Sequence, residues 1–228
     1  MCFSLSAQKI IDLSGKWSFS IDRQDNGEKE KWFSHTLNDC INLPGSMPEK
    51  LKGDEVTAKT QWTGSLYDSS YYYNPYMEKY RKEGNIKFPF FLTPDKHYVG
   101  AAWYQKEVNI PADWKGERIL LFLERPHIET TVWVNGQKTG MQNSLCVPHQ
   151  YDITRYVRPG KCTITIRVDN RIKEINVGPD SHSITDQTQG NWNGIVGRIC
   201  LQTTPKTYFD DIQIYPEPEQ KLARVKVV

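Results

Sequence analysis

Apolar and polar residues alternate in two stretches of the chain, with the two-residue period that places successive side chains on opposite faces of a β-strand. Residues 16–21, KWSFSI, send every second side chain to one face, and residues 162–168, CTITIRV, do the same. Both stretches are predicted to be half-buried strands, with polar residues such as Thr165 and Arg167 facing outward. The side chains predicted to point inward are Trp17, Phe19, Ile21, Cys162, Ile164, Ile166 and Val168.

Further strands are indicated by short runs rich in β-branched, aromatic and aliphatic residues. One run, residues 130–135, ends at Asn135-Gly136, and such a pair between β-prone runs signals a tight hairpin because both central residues need positive φ. Helical signals are limited to short turns in residues 28–37 and 76–82. Many short strands separated by turn signals predict an all-β jelly-roll β-sandwich. The other predicted strands are residues 103–110, 118–124, 197–203 and 209–215.

Two long segments interrupt the strand pattern. Residues 66–96 are aromatic and turn-rich, whereas residues 174–194 lack alternation and concentrate polar side chains. Loops of this length inside a compact domain are usually functional or disordered. Gly190 and Trp192 argue against full disorder in the second segment, which becomes the first place to look for a site.

The last twenty residues predict a strand, a Pro-rich turn and a second strand. Two strands alone cannot bury an apolar face stably. We therefore expect residues 206–228 to be the opening hairpin of a second domain.

Composition narrows the class of protein. The 228 residues carry 29 basic and 27 acidic side chains, and a net charge of +2 gives no basis for nucleic-acid or membrane-surface binding. An aromatic content of 12% argues against a disordered chain. No apolar run approaches the roughly 18 residues of a membrane span. The five cysteines form no CxxC pair, so no zinc site is expected, and Cys162 and Cys200 are predicted to be buried.

The N-terminus, MCFSLSAQ, has two readings. It could be the end of a secretory signal, with Ala7 at the cleavage position and Gln8 starting the mature chain, or an ordinary flexible terminus. The first reading predicts an extracytoplasmic protein, periplasmic or secreted.

Four motifs carry a resemblance to a known family. They are VWVNG with Gly140 after it, YDIT followed by PGK, the VDN at the end of a strand, and WNGIVG. In this order they resemble the N-terminal domain of glycoside hydrolase family 2, over residues 13–204. That family contains β-galactosidases, β-glucuronidases and β-mannosidases.

The resemblance implies a domain plan. In the family this module is a jelly-roll sugar-binding domain, similar to galactose-binding domains, and an immunoglobulin-like domain and a (β/α)8 catalytic barrel follow it. Residues 1–8 would be a signal remnant or flexible terminus, residues 9–205 the sugar-binding domain, and residues 206–228 the start of the immunoglobulin-like domain. The expected partners are a β-glycoside and the protein's own downstream domains.

The resemblance also implies where the chemistry is. The family hydrolyses β-glycosides with retention, using two glutamates on the barrel, and these would lie beyond residue 228. We therefore expect no catalytic residue, cofactor or metal ligand in this chain, which alone would be inactive. A β-galactoside is the default substrate.

In related galactosidases, loops of this domain reach the barrel mouth and touch the sugar. The segment SHSITDQTQGNWNG occupies the corresponding place, although it lacks the family's spacing in the sugar-contacting loop. Carboxylate and amide groups would bond to sugar hydroxyls, and an indole would cover the C–H face of a pyranose. In the alternative, the indole packs on the sandwich edge and the polar side chains cap turns. The predicted substrate-binding residues are His182, Asp186, Asn191 and Trp192.

Other candidate residues are given structural roles. The tyrosine cluster at residues 71–73 and Trp62 are expected to pack on the domain that carries them, and His127 to be a hydrogen-bonded structural histidine. Ser181, His182 and Asp186 form no triad because no serine lies in a G-x-S-x-G elbow. Asp180 and Asp186 are a poor catalytic pair because a loop spacing specifies no carboxyl separation.

Two other functions compete with the glycosidase module. A stand-alone carbohydrate-binding module or lectin should end cleanly, which the unfinished hairpin does not suggest. A complete small hydrolase lacks candidate catalytic residues. Three tryptophans, Trp17, Trp103 and Trp133, lie in predicted strands and are expected to pack, which leaves Trp192 as the indole free to stack on a sugar.

Overall fold

A computed structural model describes residues 8–57, 59–63, 73–87, 93–173, 186 and 190–228 of the chain. The predicted signal remnant lies almost wholly outside these ranges. Tyr71, Tyr72, Asp180, Ser181 and His182 also lie outside them, so the roles expected for these residues stay predictions.

Two antiparallel sheets form the body of the described structure. The five-stranded sheet runs β1-β13-β8-β11, with β4 paired beside β13, and the six-stranded sheet runs β10-β9-β12-β7-β2-β3. This arrangement confirms the all-β jelly-roll β-sandwich. The strands of the first sheet are β1 Ile10–Asp12, β4 Gly45–Ser46, β8 Arg118–Pro126, β11 His149–Asp152 and β13 Gly194–Thr204. Those of the second are β2 Gly15–Asp22, β3 Asp39–Leu43, β7 Ala101–Ile110, β9 Glu129–Val134, β10 Gln137–Asn143 and β12 Gly160–Asp169.

The core lies between the inner faces of the two sheets. Trp17 and Phe19 of β2 are at most 1% exposed, and the Phe19 ring packs 5.2 Å from that of Tyr104 on β7. Strand alternation therefore selected the core side of β2 and β12 correctly, with Ile21 half-buried at the margin. Cys162 and Cys200 are buried as predicted, and burial raises the pKa of the Cys162 thiol to about 11.

The outer face of the six-stranded sheet is not the polar, solvated surface that alternation predicts. Thr165 and Arg167 are 1% and 7% exposed. Residues 23–38, which we term the strap, connect β2 to β3 and cover this face. The strap contributes Trp32, Phe33 and Leu37 to a second apolar cluster, which also contains Trp103 and Trp133. The alternation of residues along a strand predicts which side chains share a face. It does not predict that a separate segment, here the strap, packs on the outer face.

Turns and short helices follow local sequence closely. Asn135 and Gly136 adopt φ values of 50° and 77° between β9 and β10, as the predicted hairpin requires. The predicted helical turns are 3-10 helices, and Gly84 follows the second with φ 78°. The 3-10 helices are Trp32–Ser34, Pro75–Tyr80, Ala112–Trp114, Thr154–Tyr156 and Pro218–Gln220.

The C-terminal hairpin pairs with itself alone within the described residues. It consists of β14, Ile212–Glu217, and β15, Leu222–Val227. Ile212 faces Val227 and Ile214 faces Val225, so one face of the hairpin is apolar, and these four side chains are 49–64% exposed. A second small pair joins β5, Asp54–Glu55, to β6, Lys96–His97.

Candidate functional site

One end of the sandwich gathers the loops that carry the candidate residues. The antiparallel pairing places the start of β7 beside the end of β12, and the end of β8 beside the start of β13. The segment entering β13, residues 190–193, thereby meets Asn170 after β12 and His127 after β8. We term this region the loop end.

Asp186 joins two loops from beneath the surface. It is 1% exposed, and its carboxylate accepts hydrogen bonds from the backbone N–H groups of Thr63, at 2.6 Å, and Asn191, at 2.5 Å. Its own N–H donates to the Thr63 carbonyl at 3.1 Å. This geometry gives Asp186 a loop-bracing role, as in the turn-capping alternative, and both of its oxygens already serve protein donors. Contact with a sugar stays an untested prediction for this residue.

Asn191 is also a bracing residue. Its Nδ2 donates to Thr63 Oγ1 and to the Asn170 carbonyl, both at 3.0 Å, and the side chain is 3% exposed. The sequence favoured sugar contact because an amide side chain in this segment could both donate and accept hydrogen bonds. In the folded chain its amide hydrogens bond to the Thr63 hydroxyl and the Asn170 carbonyl at the base of the loop. Contact with a sugar stays an untested prediction for this residue as well.

A second buried asparagine, Asn193, was missed among the candidates. Its Oδ1 accepts from the Tyr104 hydroxyl at 2.8 Å, and its Nδ2 donates to the carbonyls of Gly100 and Val168. Burial raises the pKa of Tyr104 well above its usual value, so the hydroxyl stays a donor. The N-W-N spacing is the signal that could have identified the pair, since residues two apart in an extended segment share one face.

Trp192, between these asparagines, points to the other side of the segment and is half-buried. Its ring stacks on the His127 imidazole, with 4.6 Å between centroids and 19° between planes. His127 is 6% exposed, and burial lowers the pKa of its imidazole to about 4. Its Nε2 and the Asn191 Oδ1 are both buried and make no hydrogen bond to a described residue. The indole therefore has one face on a neutral imidazole.

The aromatic residues of the turn-rich segment divide in the structure. Trp62 packs against His97, with 4.7 Å between ring centroids, as the packing prediction expects. His97 Nε2 lies 4.0 Å from Asp186 Oδ2 and 3.2 Å from the Gln61 carbonyl. Tyr73 is 80% exposed, so the expected packing does not extend to this tyrosine.

A cluster of charges stabilises the loop end from the outer face of the six-stranded sheet. Arg167 donates to Asp25 at 2.7 Å and to Asp169 at 3.0 Å, and Arg171 binds the same two carboxylates. Lys173 completes the cluster with Asp169 and Glu129, each at 2.9 Å. Although burial opposes it, bonding to Arg171 and Lys173 holds the pKa of Asp169 well below its usual value. The cluster therefore holds residues 169–173, the stretch at and just after the end of β12, against the outer face of the sheet.

The described residues include no group of three or more histidine, cysteine, aspartate or glutamate side chains that could hold a metal ion. In the same part of the chain, no helix is long and apolar enough to cross a bilayer. The chemistry visible at the loop end is hydrogen bonding and aromatic stacking.

These features define a class: a two-sheet jelly-roll domain whose braced loop end presents an indole and polar groups on one edge. Comparison with protein families then identifies the family. A family model described as glycosyl hydrolases family 2, sugar binding domain, matches residues 10–205, and the chain belongs to this family.

Curated relatives and solved structures agree with this assignment. β-Glucuronidase of Homo sapiens is 25% identical over 242 residues, covering 94% of this chain and 32% of its own length. β-Glucuronidase of Paenibacillus borealis is 27% identical over 222 residues, covering 91% and 31%. A β-glucuronidase structure from an uncultured Clostridium covers 100% of this chain and 35% of its own, with a TM-score of 0.64 and 22% identity, which supports the fold. The chain spans about a third of the length of these relatives.

Proposed function

We propose that this chain is the N-terminal sugar-binding domain of a retaining β-glycosidase and helps to shape a substrate site completed by a catalytic barrel. The observation that carries the proposal is the family match over residues 10–205, in a chain that spans about a third of its curated relatives. In this proposal the catalytic glutamates lie in downstream sequence, so the isolated chain is inactive.

The substrate we propose to test first is a β-glucuronide. Sequence reasoning favoured a β-galactoside, but the relatives reported above are named β-glucuronidases, which supports the uronide. The β-galactoside is the second substrate to test.

The residues at the loop end divide between two roles in this proposal. Trp192 contacts the sugar, whereas Asp186 and Asn191 brace residues 190–193, the segment that carries this indole. His182, which lies outside the described residues, is kept as a second predicted sugar contact. The support for Trp192 is its half-buried indole, which uses one face on His127. The support for the bracing role is that Asp186 and Asn191 are nearly inaccessible and bonded to backbone groups.

The apolar face of the C-terminal hairpin supports a downstream domain. An apolar face of two strands exposed to water is costly, and three or more strands are usually needed for an independently stable sheet. In the proposal, further strands of an immunoglobulin-like domain cover Ile212, Ile214, Val225 and Val227. Export to an extracytoplasmic compartment remains part of the proposal, because the N-terminal residues on which it rests lie outside the described residues.

The test is hydrolysis of nitrophenyl β-D-glucuronide and nitrophenyl β-D-galactoside by this chain and by the longest reading frame that contains it. We expect activity from the longer protein alone, with the glucuronide preferred, and a loss of kcat/KM of at least about tenfold in Trp192→Ala. Trp32→Ala, which removes a half-buried tryptophan of the strap remote from the loop end, is the matched control for loss of an indole and should keep kcat/KM. A reading frame without a downstream barrel would overturn the proposal.

A second function, a stand-alone carbohydrate-binding module, is favoured by one observation: the sandwich has a complete core of its own. Under this alternative the isolated chain would bind a glycan with micromolar affinity in a titration, without any hydrolysis. Such binding, abolished by Trp192→Ala, would replace the enzyme proposal.

A further inference from the structure

A cavity of about 310 Å³ lies on the outer face of the six-stranded sheet, remote from the loop end. It opens between the strap and the Asn135-Gly136 hairpin, and it is lined by Phe33, His35, Thr36, Gln105, Asn135 and Thr163. Its volume is at the lower end of the range of small-molecule sites, about 300–1,000 Å³. Nothing in the proposed function uses this cavity.

The walls of the cavity are held in place by ring stacking and hydrogen bonds. The Phe33 ring lies parallel to that of Trp133, at 5.2 Å between centroids and 6° between planes. Asn135 bonds to Thr163 through both its backbone N–H, at 2.8 Å, and its side-chain oxygen, at 3.0 Å. A ligand would therefore meet surfaces that need little ordering on binding, which reduces the entropic cost of association.

Gln105 provides an oriented acceptor at the floor of the cavity. Its Nε2 donates to the His35 carbonyl at 3.0 Å and to Thr165 Oγ1 at 3.1 Å, so both amide hydrogens are used. The orientation of the amide is thereby set, and its Oε1 makes no hydrogen bond to any described residue. The residue is 9% exposed, and its unpartnered Oε1 keeps some contact with solvent, so this acceptor is open to a ligand.

Other polar groups around the cavity also lack protein partners among the described residues. They are the hydroxyls of Thr36 and Thr163 and the imidazole of His35. Among the described residues, no carboxylate, ammonium or guanidinium group lines the cavity. Hydroxyl and amide groups beside one aromatic ring match a ligand that has many hydroxyl groups, an apolar face and no charge.

From this chemistry we propose that the cavity is a subsite for a neutral pyranoside, distinct from the loop end. The ring of the sugar lies near Phe33, and its hydroxyls bond to Gln105 Oε1, Thr163 Oγ1 and Thr36 Oγ1. A carboxylate-bearing sugar binds less well because no lysine or arginine among the lining residues compensates for its desolvation. This proposal does not depend on the proposed function, since it concerns binding by residues of this chain alone.

The test is a titration of the 228-residue chain with cellobiose, methyl β-D-glucopyranoside and sodium D-glucuronate at pH 7.5. Binding is monitored by ¹H–¹⁵N NMR chemical shifts at each sugar concentration. We expect saturable shifts at residues 33–36, 105, 135–136 and 163 with the two neutral sugars, at dissociation constants in the millimolar range. The glucuronate should bind at least about fivefold more weakly, because a fivefold change corresponds to about 1 kcal/mol.

Two variants and a matched control locate the subsite. Thr163→Val keeps the shape of the side chain but removes its hydroxyl, and Phe33→Leu removes the flat ring. Each should weaken cellobiose binding by about fivefold or more, the expected effect of one lost hydrogen bond or stacking contact. Thr207→Val, at an exposed position outside the cavity, should leave it unchanged. Thr36→Val substitutes for either variant that loses its folded spectrum.

The proposal is overturned if no saturable chemical-shift changes appear up to about 20 mM sugar, because this concentration detects even millimolar dissociation constants. It is also overturned if the shifts cluster at residues 190–193, or if Thr163→Val and Phe33→Leu bind like the parent chain. Loss of hydrolysis by the longer protein, with cavity binding intact, would contradict the proposed function and leave this subsite standing.

Discussion

The sandwich and the C-terminal hairpin consist of the same kind of alternating strand, but they differ in what covers the strands. In the sandwich each sheet has a buried inner face, and the strap buries part of the outer face of the six-stranded sheet as well. In the hairpin the apolar face formed by Ile212, Ile214, Val225 and Val227 stays exposed. The pattern of a strand therefore predicts an apolar face, whereas burial of that face depends on a segment from another part of the sequence.

The largest expected effect tests the covered core directly. Trp17→Ala should destabilise the sandwich by about 3–5 kcal/mol, the usual cost of deleting a large buried aromatic side chain. Ile214→Ala is the matched truncation on the uncovered hairpin and should change stability by about 0.5 kcal/mol or less. Urea unfolding followed by tryptophan fluorescence measures both. Comparable losses in the two variants would mean that the hairpin face is buried in solution.

The next effect concerns charge on the covered outer face. Arg167→Met leaves Asp25, Glu129 and Asp169 with less compensation, and we expect a loss of about 3 kcal/mol. Arg224→Met breaks the exposed pair with Glu217 on the hairpin and should cost at most about 0.5 kcal/mol. Chemical unfolding of both variants at two salt concentrations measures these losses. An unchanged free energy of unfolding in Arg167→Met would contradict a stabilising role for Arg167 among the buried charges.

The third effect is a pH dependence that arises at the loop end. The pKa of His127 is about 4 in the folded chain, below the 6.5 of an unperturbed histidine, so the unfolded chain binds a proton that the folded chain does not between these values. Stability should therefore fall as pH drops from 6.5 to 4, by at most about 3 kcal/mol, and the histidine should add nothing further below pH 4. Asp169, whose pKa is also lowered in the fold, loses its contribution at more acidic pH.

His127→Gln should reduce this dependence between pH 7.5 and 4.5, as measured by urea unfolding at each pH. Thr207→Val, at an exposed position, removes no titratable group and is the control that should keep the parent slope. A parent slope in His127→Gln would contradict the assignment of the pH dependence to this imidazole.

The smallest effect is local and distinguishes bracing from core packing. Asp186→Asn replaces a carboxylate that accepts two backbone N–H groups, and we expect a global loss of about 1–2 kcal/mol. Amide exchange should quicken at Thr63 and Asn191, whereas the centre of β12 stays protected. Asp211→Asn, beside the C-terminal hairpin, is the control. Equal acceleration of amide exchange across the whole sandwich in Asp186→Asn would contradict a local bracing role for Asp186.

Much of the fold could be predicted because its signals are local. The two-residue period identified the inner faces of β2 and β12, and Asn135-Gly136 identified the hairpin after β9 because few other residues tolerate its backbone angles. The candidate segment was also located correctly in the chain, since residues 190–193 do enter β13 at the loop end. The individual roles were harder to predict. Asp186 and Asn191 looked like exposed polar groups, but backbone groups of Thr63 and Asn170, distant in the sequence, occupy them.

By itself, the sequence determined the strands, their inward faces, the turns and the family of the sandwich, because each depends on neighbouring residues or on ordered motifs. Only the tertiary structure decided which outward faces are covered, which polar side chains brace loops, and that Trp192 stacks on His127. These contacts join residues far apart in the chain, and no short pattern encodes a partner at that distance. The strand pattern alone therefore could not predict that the strap covers Thr165 and Arg167, nor that the apolar face of the hairpin stays exposed.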